Sequence, residues 1–367
     1  MPDLITGVVK KMSKGSFVLR DQARSFRQAG REVIIPAGIT HKCGLVEGAT
    51  VTGATRSDRG RLLLENIESV CGLSVEEFKN RTPYQQLTAV PPNQRFDLEK
   101  SGELSMRIVD LVAPVGKGTR GLIVSPPKAG KTILLTQFAK AILADDPGAQ
   151  VIILLIDERP EEVTQIKRDV TGATVVASSI DHTINEHIEL AEILMAYIKV
   201  QLECGRDIVV LVDSITRMGR AFNRKGTGTG RMMSGGLEAG ALEIPRRFLG
   251  MARKIENGGS VTIIATALID TGSRMDQLIF EEFKGTGNSE IVLSRSLAES
   301  RIFPAIDIPA SGTRMDEQLW GKEISRKLAG LRRGISGQKP ADAISTLSAV
   351  LRKYPTNNEL LKIIPVA

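Results

Sequence analysis

The sequence predicts an α/β domain built on a parallel sheet, with a small all-β barrel before it and a helical tail after it. Strand-length apolar runs without polar alternation recur in the second part of the chain, as expected of strands covered on both faces. Helical stretches separate these runs, which lie at 121–124, 151–156, 208–212 and 261–268. Before residue 70, short strand-like segments broken by glycine turns are typical of a barrel.

The composition predicts a soluble chain with more than one domain. Of its 367 residues, 42% are hydrophobic and 25% are charged, which is typical of globular proteins of two or three domains. No apolar run approaches the ~18 residues of a membrane span, and the beginning of the chain lacks the apolar core of a signal peptide. We therefore expect a cytoplasmic protein without membrane contacts. The three cysteines are far apart, which favours small buried apolar residues over a metal site.

Positive charge is concentrated at the start of the chain. The net charge is +7, from 49 basic and 42 acidic residues. Residues 1–62 contain 11 lysines and arginines against 5 acidic residues, so they hold nearly all of the excess. A solvated surface is one explanation, and a module that faces nucleic-acid phosphates is the other.

Changes of pattern divide the chain into four parts. The strand-like segments of the barrel lie at 7–9, 17–19, 33–35, 50–52 and 62–64. A capping box at Ser74 and Glu77 opens a short helix, and three prolines between 82 and 92 indicate a linker. We predict a barrel in 1–72, a helix and proline-containing linker in 73–107, the α/β domain in 108–320 and a helical C-terminal segment in 321–367.

The strongest local signal is S-P-P-K-A-G-K-T at residues 125–132, between a strand and a helix that begins near Ile133. In this setting, backbone N–H groups and a helix N-terminus hold phosphate. Lys131 would reach the outer phosphates of a nucleotide, and the Thr132 hydroxyl would bind Mg²⁺. Ser125 stands where the pattern G-x-x-x-x-G-K-[ST] has its first glycine, so the fragment alone leaves a chance match open.

Acidic residues follow two of the buried runs: Asp157 and Glu158 after one, and Asp213 after another. Because ligands of open α/β sheets bind outside the carboxyl ends of the strands, these carboxylates should lie beside the phosphate loop. There Asp213 suits the shell of a bound Mg²⁺, and Glu158 suits the activation of water. A helix cap is the alternative for Asp213.

Phosphoryl transfer also needs a cation at the γ-phosphate as the bond breaks. With one phosphate loop per chain, a neighbouring subunit could supply it. Arg301 and Arg314 are candidates, and their spacing does not choose between them.

Two basic loops contain glycine: R-K-G-T-G-T-G-R at 224–231 and D-T-G-S-R at 270–274. Both would project from one end of the sheet, where flexible basic loops suit a nucleic-acid backbone. Ordinary surface loops have the same composition and remain the alternative.

Read together, the longer motifs resemble the Rho family of bacterial transcription termination factors between residues 96 and 318. The stretches that carry the resemblance are V-D-L at 109–111, 120–132, I-D-E-R-P-E-E-V-T at 156–164, D-S-I-T-R at 213–217, 263–273, 281–288 and F-P-A-I-D at 303–307. The family's phosphate loop also lacks the first glycine. The resemblance implies a RecA-like P-loop ATPase core with an OB- or cold-shock-like barrel.

The resemblance also implies the function and its partners. It implies a homohexameric, RNA-dependent ATPase that uses ATP and Mg²⁺, moves along single-stranded RNA as a translocase or helicase, and dismantles transcription complexes. Its partners would be single-stranded RNA and the transcribing RNA polymerase.

Individual roles follow from the resemblance by position. The catalytic residues would be Lys131, Glu158, Asp213, Arg301 and Arg314. Glu158 would polarise the attacking water, and Arg314 would be a finger delivered in trans, with Arg301 nearby. The residues at the nucleotide would be Gly116, Lys117, Gly118, Thr119, Arg120, Gly121, Lys128, Ala129, Gly130, Lys131, Thr132, Ile133, Arg159 and Phe303, with Phe303 stacked on adenine. Thr132 and Asp213 would hold Mg²⁺.

RNA would be bound in two places. The channel residues would be Arg231, Met232, Met233, Ser234, Gly235, Gly236 and Arg274, the last in place of the family's usual lysine. A primary site on the barrel would use Phe17, Arg20, Arg59 and Arg61. Bases stack on aromatic side chains for about 1–3 kcal/mol each, and the family's aromatic platform is reduced to Phe17, so we expect a weaker primary site.

Two other functions share part of this pattern. A rotary-type ATPase subunit has a similar phosphate loop and trans arginine, but it does not explain the basic glycine-rich loop or the early surplus of positive charge. A non-catalytic RNA-binding regulator does not explain why Lys131, Glu158, Asp213 and Arg314 occur together.

Overall fold

The computed structural model describes residues 4–13, 15–28, 30–226, 234–238 and 240–365. Its first unit is a closed five-stranded barrel with the strand order β1-β2-β3-β5-β4. The strands are β1 (Leu4–Lys11), β2 (Phe17–Arg20), β3 (Val33–Ile35), β4 (Thr50–Asp58) and β5 (Arg61–Val70), with helix α1 (Ala37–Cys43) between β3 and β4. The inward residues Val9, Val51, Leu64 and Val70 are fully buried. The predicted barrel is confirmed.

The second unit is a mixed sheet whose central strands are parallel, as the apolar runs predict. In chain order its long strands are β7 (Arg120–Ser125), β8 (Gln150–Glu158), β9 (Thr174–Ser179), β10 (Asp207–Asp213), β12 (Ser260–Leu268) and β13 (Ser289–Val292). A two-residue strand, β14 (Gly312–Thr313), pairs antiparallel with β13 at one edge, and the spatial order is β14-β13-β7-β12-β10-β8-β9. The sequence pattern missed β9 because its apolar part is only three residues long.

Helices cover both faces of this sheet. One face packs against α3 (Leu104–Val112), α4 (Lys131–Asp145), α5 (Pro160–Asp169) and the C-terminal helices α11 (Glu317–Ser336), α12 (Pro340–Lys353) and α13 (Asn357–Ile363). The other packs against α6 (Ile184–Glu203), α7 (Ile215–Lys225), α8 (Glu243–Leu249) and α9 (Arg274–Phe283). A short α10 (Arg295–Glu299) follows β13. The predicted helical tail exists, but it shares the core of the α/β unit.

The linker is part of this sheet. After α2 (Val75–Lys79), which the predicted capping box opens, the chain forms a two-residue strand, β6 (Ala89–Val90). It pairs with β11 (Arg253–Ile255), which in turn pairs with β12. Pro91 and Pro92 lie just beyond β6, where no ladder bond is required of them.

The barrel packs directly on α6. Gly48, with φ 91°, approaches this helix so closely that an added Cβ would lie 2.3 Å from the backbone carbon of Ala196. The Gln201 side-chain amide donates to the Thr50 hydroxyl at 3.1 Å. No helix in the described part of the chain is long and apolar enough to cross a membrane.

Candidate nucleotide and nucleic-acid sites

The phosphate loop joins β7 to α4 at the carboxyl edge of the sheet. Ser125 is the last residue of β7, is fully buried, and donates its hydroxyl to the Pro126 carbonyl at 2.8 Å. Because this position is still strand, it does not require glycine. Gly130, with φ 92°, is the residue that turns the chain into α4. The first N–H groups of α4 have no intrahelical partners and point where an anion binds.

Lys131 is joined to the end of β10. Its Nζ lies 2.6 Å from both carboxylate oxygens of Asp213, which is fully buried. The Thr132 hydroxyl donates to Asp213 Oδ2 at 2.9 Å, and the Thr266 hydroxyl donates to Oδ1 at 2.8 Å. The predicted lysine, threonine and aspartate therefore meet at one point. Thr266 was missed because only the alignment of β12 beside β10 brings it there.

Glu158 stands beside this cluster at the end of β8. It is 1% exposed, its Oε2 lies 4.0 Å from Lys131 Nζ, and its Oε1 lies 3.2 Å from an Arg217 guanidinium nitrogen. Burial raises the pKa of Glu158 above its ordinary value, and the Arg217 cation opposes that shift. Oε2 is buried without a hydrogen-bond partner, so it is free to accept a proton.

The oxygens in this cluster fit a magnesium ion. Thr132 Oγ1 and the Asp213 carboxylate lie next to each other, and Mg²⁺ is usually held by one or two protein oxygens together with water and phosphate. Among the described residues, no group of three or more acidic, histidine or cysteine side chains forms a separate metal site. A nucleotide-bound Mg²⁺ is thus compatible with the site.

An apolar cleft lies beside the phosphate loop. Its volume is about 270 Å³, and Gly130, Ile133 and Phe303 are among the residues that line it. Ile133 is 66% exposed and Phe303 is 54% exposed, which is unusual for large apolar side chains and suits two surfaces around a planar base. Lys128 and Arg159 are also exposed near the loop, and the Arg159 N–H donates to Glu158 Oε1 at 3.3 Å.

Arg314 lies at the opposite, amino edge of the sheet. Its backbone N–H donates to the Asn288 carbonyl at 2.7 Å, and the Asn288 side chain accepts from the Arg120 N–H at 2.9 Å. Arg120 begins the strand β7, which has 6 residues, and the phosphate loop follows its end. At ~3.3 Å per residue, Arg120 and the phosphate loop lie about 20 Å apart. Arg314 cannot reach the phosphate loop of its own chain.

The structure shows where two of the predicted site elements lie. The segment 116–121 leads into β7 at the amino edge, so it does not adjoin the phosphate loop of its own chain; there Lys117 pairs with Asp146 and Asp207, each at 2.7 Å. Arg301 was expected near Arg314, but it lies two residues from Phe303, beyond the carboxyl end of β13. The strand β13 separates the two arginines.

Helix α7 links the carboxylate cluster to the basic loops. Arg217 contacts Glu158 and the Asp157 carbonyl, and Arg220, one turn later, pairs with Asp276 through Nε at 2.7 Å. A further turn on, the Asn223 amide donates to the Gly236 carbonyl at 2.9 Å. Positions three apart share a helix face, so one face of α7 contacts both regions. Sequence reasoning missed the contact of Arg217 with Glu158, because only the alignment of β8 beside β10 brings the start of α7 next to that carboxylate.

The two predicted channel loops meet next to α9. Arg274 is exposed and is the first residue of α9, and a Cβ on Gly235 would lie 3.2 Å from its Cγ. Gly236 is held by Asn223, and Ser234 begins the same one-turn helix. Arg231, Met232 and Met233 lie outside the described residues.

The barrel arginines fall into two groups. Arg20 pairs with Glu32 at 2.6 Å, and its side chain is only 10% exposed, so it does not serve as a free phosphate contact. Arg59 and Arg61 are exposed at the turn between β4 and β5. Phe17 is half-buried on β2.

The comparisons with known proteins agree with this geometry. The nucleotide-binding domain of the ATP synthase alpha/beta family matches residues 105–313. The transcription termination factor Rho of Aquifex aeolicus is 46% identical over 365 residues, which cover 98% of this chain and 84% of the relative. The chain belongs to the Rho family. Rho of Mycobacterium tuberculosis is 44% identical over 97% of the chain, but the chain spans only 60% of the length of that relative.

Solved structures support the fold of the Rho-family core. A prototypical ATPase from the type III secretion system of pathogenic bacteria superposes with a TM-score of 0.61 at 22% identity, covering 82% of this chain and 86% of that one. The assembled ATPase EscN from enteropathogenic E. coli gives a TM-score of 0.59 at 18% identity, covering 100% and 95%. The likeness identifies the RecA-like P-loop fold.

Proposed function

We propose that the protein is an ATP-dependent RNA translocase or helicase that acts in transcription termination in the cytoplasm. ATP would be hydrolysed at the subunit interfaces of a homohexameric ring. The observation that carries the proposal is the separation of Lys131 and Arg314 by the length of β7. A single chain thus holds two halves of different sites, and a second copy is needed to complete each one.

The carboxyl edge of the sheet would bind the nucleotide and activate the attacking water. Lys131 would exchange Asp213 for the phosphates, and Asp213 and Thr132 are the residues that would hold Mg²⁺, whose positive charge would stabilise the phosphate oxygens. Glu158 orients a water and accepts its proton through Oε2. Phe303 and Ile133 enclose the adenine.

The amino edge of the neighbouring protomer would complete the site. Arg314 reaches the γ-phosphate in trans, and Arg120, which shares Asn288 with it, approaches with the segment 116–121. An arginine delivered to the transition state contributes about 10³–10⁵ in rate in related phosphoryl transfers.

RNA would contact the channel loops around Gly235 and Arg274, and its arrival would be transmitted along α7 to Glu158. The barrel, in residues 1–72, would hold RNA first, before the α/β unit of 108–320 acts on it. The transcribing RNA polymerase is the partner from which RNA is withdrawn.

An ATPase assay on the full chain, with and without single-stranded RNA, tests the proposal. We expect RNA to raise the rate at least about tenfold, and Arg274→Ala to reduce this stimulation while nucleotide affinity is retained. Arg352→Ala is the matched control, since it removes an exposed arginine of α12 that belongs to neither proposed RNA site. Hydrolysis that ignores RNA of every composition would indicate a rotary-type ATPase and contradict the proposal.

A further inference from the structure

A cleft with a volume of about 660 Å³ opens between the linker, α6 and α8. The barrel lies next to it, because Ala196, on which Gly48 packs, is one of the residues that line the cleft. Helix α8 forms the other side and follows the channel segment at 234–236 in the chain. The cleft thus lies between the barrel contact on α6 and the helix that follows a channel loop. It contains none of the residues assigned above to nucleotide or RNA.

The cations of the cleft outnumber its acidic groups. It is lined by Lys199, Arg247 and Arg253, and Glu192 is the one carboxylate among the described lining residues. Lys199 and Arg253 form no ion pair with any described residue. Arg247 reaches only Glu243, at 3.9 Å between two exposed side chains, and exposed pairs contribute little. The cleft therefore has an excess of positive charge that the described part of the chain does not neutralise.

The linker places an aromatic ring beside these cations. The Arg253 guanidinium lies 4.5 Å from the centroid of the Tyr84 ring, and the Lys199 ammonium lies 5.6 Å from it. The Tyr84 backbone N–H donates to the Glu203 carboxylate of α6 at 2.9 Å, which holds the linker against this helix. Arg253 also donates to the Gly250 carbonyl at 3.0 Å. Two cations without acidic partners are therefore held next to one aromatic ring.

The chemistry of the cleft indicates its ligand. A phosphodiester supplies the negative charge that Lys199 and Arg253 lack among the described residues. A nucleobase has flat faces, which suit the apolar wall formed by Met195, Ile244 and Met251. An acidic peptide would match the cations but would leave this apolar wall without a partner. Phosphate and base together use both parts of the lining.

We propose that the cleft binds one nucleotide of a single-stranded RNA between the barrel and the channel. The phosphate would lie on Lys199 and Arg253, and the base would lie against Met195 and Ile244. The inference rests on the proposed function, because it requires that one strand contacts both the barrel and the channel loops. Since Gly48 packs on α6, a strand held by the barrel is kept close to the cleft.

Photocrosslinking of the full chain tests the site. An oligouridylate that carries one 4-thiouridine, placed at each position in turn, is bound and irradiated, and the labelled peptides are identified by mass. We expect at least one position to label the α6 peptide that contains Met195 or the α8 peptide that contains Ile244. If every position labelled only the barrel and the channel loops, the proposal would be overturned.

Substitution of Lys199 measures the phosphate contact. Lys199→Ala should lower the slope of log affinity for RNA against log salt concentration by about 0.7, as expected for one phosphate of a single strand. Lys199→Arg keeps the charge and should keep the slope. Lys353→Ala, which removes an exposed lysine of α12, is the matched control. An unchanged slope in Lys199→Ala would overturn the proposal, and if this variant does not fold, the crosslinks of the unaltered chain decide.

The other outcomes separate this inference from the proposed function. If RNA stimulated hydrolysis but no label reached the cleft, the cleft would be excluded and the proposed function would stand. If RNA neither bound nor stimulated hydrolysis, both would fail. If 4-thiouridine monophosphate alone labelled the same peptides as strongly as the RNA at equal concentration, a free nucleotide would be the ligand, and the assignment to an RNA strand would be overturned.

Discussion

The cations beside the phosphate loop and the arginines Arg120 and Arg314 at the opposite edge of the α/β sheet differ in whether they have acidic partners. At the carboxyl edge the charges are paired within the chain: Lys131 with Asp213, and Arg217 with Glu158. At the amino edge Arg120 and Arg314 form no ion pair with any described residue, and the Nε of Arg120 is buried without a hydrogen-bond partner. Burial and the nearby Arg253 lower the pKa of Arg120. Lys131 and Arg217 therefore have acidic partners within their own chain, whereas Arg120 and Arg314 have none among the described residues.

Because Arg314 lies at the amino edge, we expect it to contribute to hydrolysis only at the nucleotide site of a neighbouring chain. Arg314→Ala should lower RNA-stimulated hydrolysis by about 10³-fold or more, because the transition-state charge loses its partner. Nucleotide affinity should change much less, since Arg314 does not touch its own phosphate loop. Steady-state kinetics and nucleotide titration measure the two effects.

Mixing two inactive variants tests whether Glu158 and Arg314 act on one nucleotide from different chains. In a random one-to-one mixture of Arg314→Ala and Glu158→Gln chains, about a quarter of the interfaces combine an intact Glu158 with an intact Arg314. Activity should therefore reappear on mixing. A mixture as inactive as its components, in rings shown by mass to contain both chains, would contradict the divided site.

The next largest effect concerns the paired edge. Glu158→Gln should lower turnover by about 10²–10⁴-fold while ATP binding remains, because the amide preserves the shape and cannot accept the proton. If this variant hydrolysed ATP at a near-normal rate, Glu158 would not be the base.

The pH dependence provides a second readout for Glu158. Its raised pKa means that the carboxylate protonates at a higher pH than an ordinary glutamate does. A base acts only when it is ionised, so turnover should fall as pH drops through this raised pKa. The inflection should lie above the ordinary glutamate value, and it should be absent from the residual rate of Glu158→Gln.

The smallest expected effects are those of the barrel arginines, and they distinguish Arg20, which is ion-paired with Glu32, from the exposed Arg59 and Arg61. Arg59→Ala and Arg61→Ala should each weaken RNA binding and reduce its salt dependence by about one counterion, as expected for phosphate contacts. Arg20→Ala should leave the salt dependence unchanged and lower stability by about 1 kcal/mol through the loss of its pair with Glu32. If RNA binding had the same salt dependence in all three variants, the ion pair with Glu32 would not decide whether a barrel arginine contacts RNA phosphate.

The sequence predicted correctly those features that depend on residues close together in the chain. The strand, turn and helix around Lys131 follow from apolar runs and glycine, and Glu158 and Asp213 follow from the rule that ligands bind at carboxyl ends. The contribution of Thr266 depends on strand alignment, and the positions of Arg301 and 116–121 depend on which end of a strand each one flanks. These are properties of the assembled sheet, and no residue pattern within a short window encodes them.

The contact at Gly48 constrains how such a chain can be rebuilt. Its backbone lies against the backbone of α6 with no room for even one methyl group. A foreign barrel grafted in place of this one would also need a glycine in the loop at this point, because a side chain there would push the barrel away from the helix. Shape at Gly48 therefore limits which barrels can be joined to this α/β unit, independently of how well either unit performs its own task.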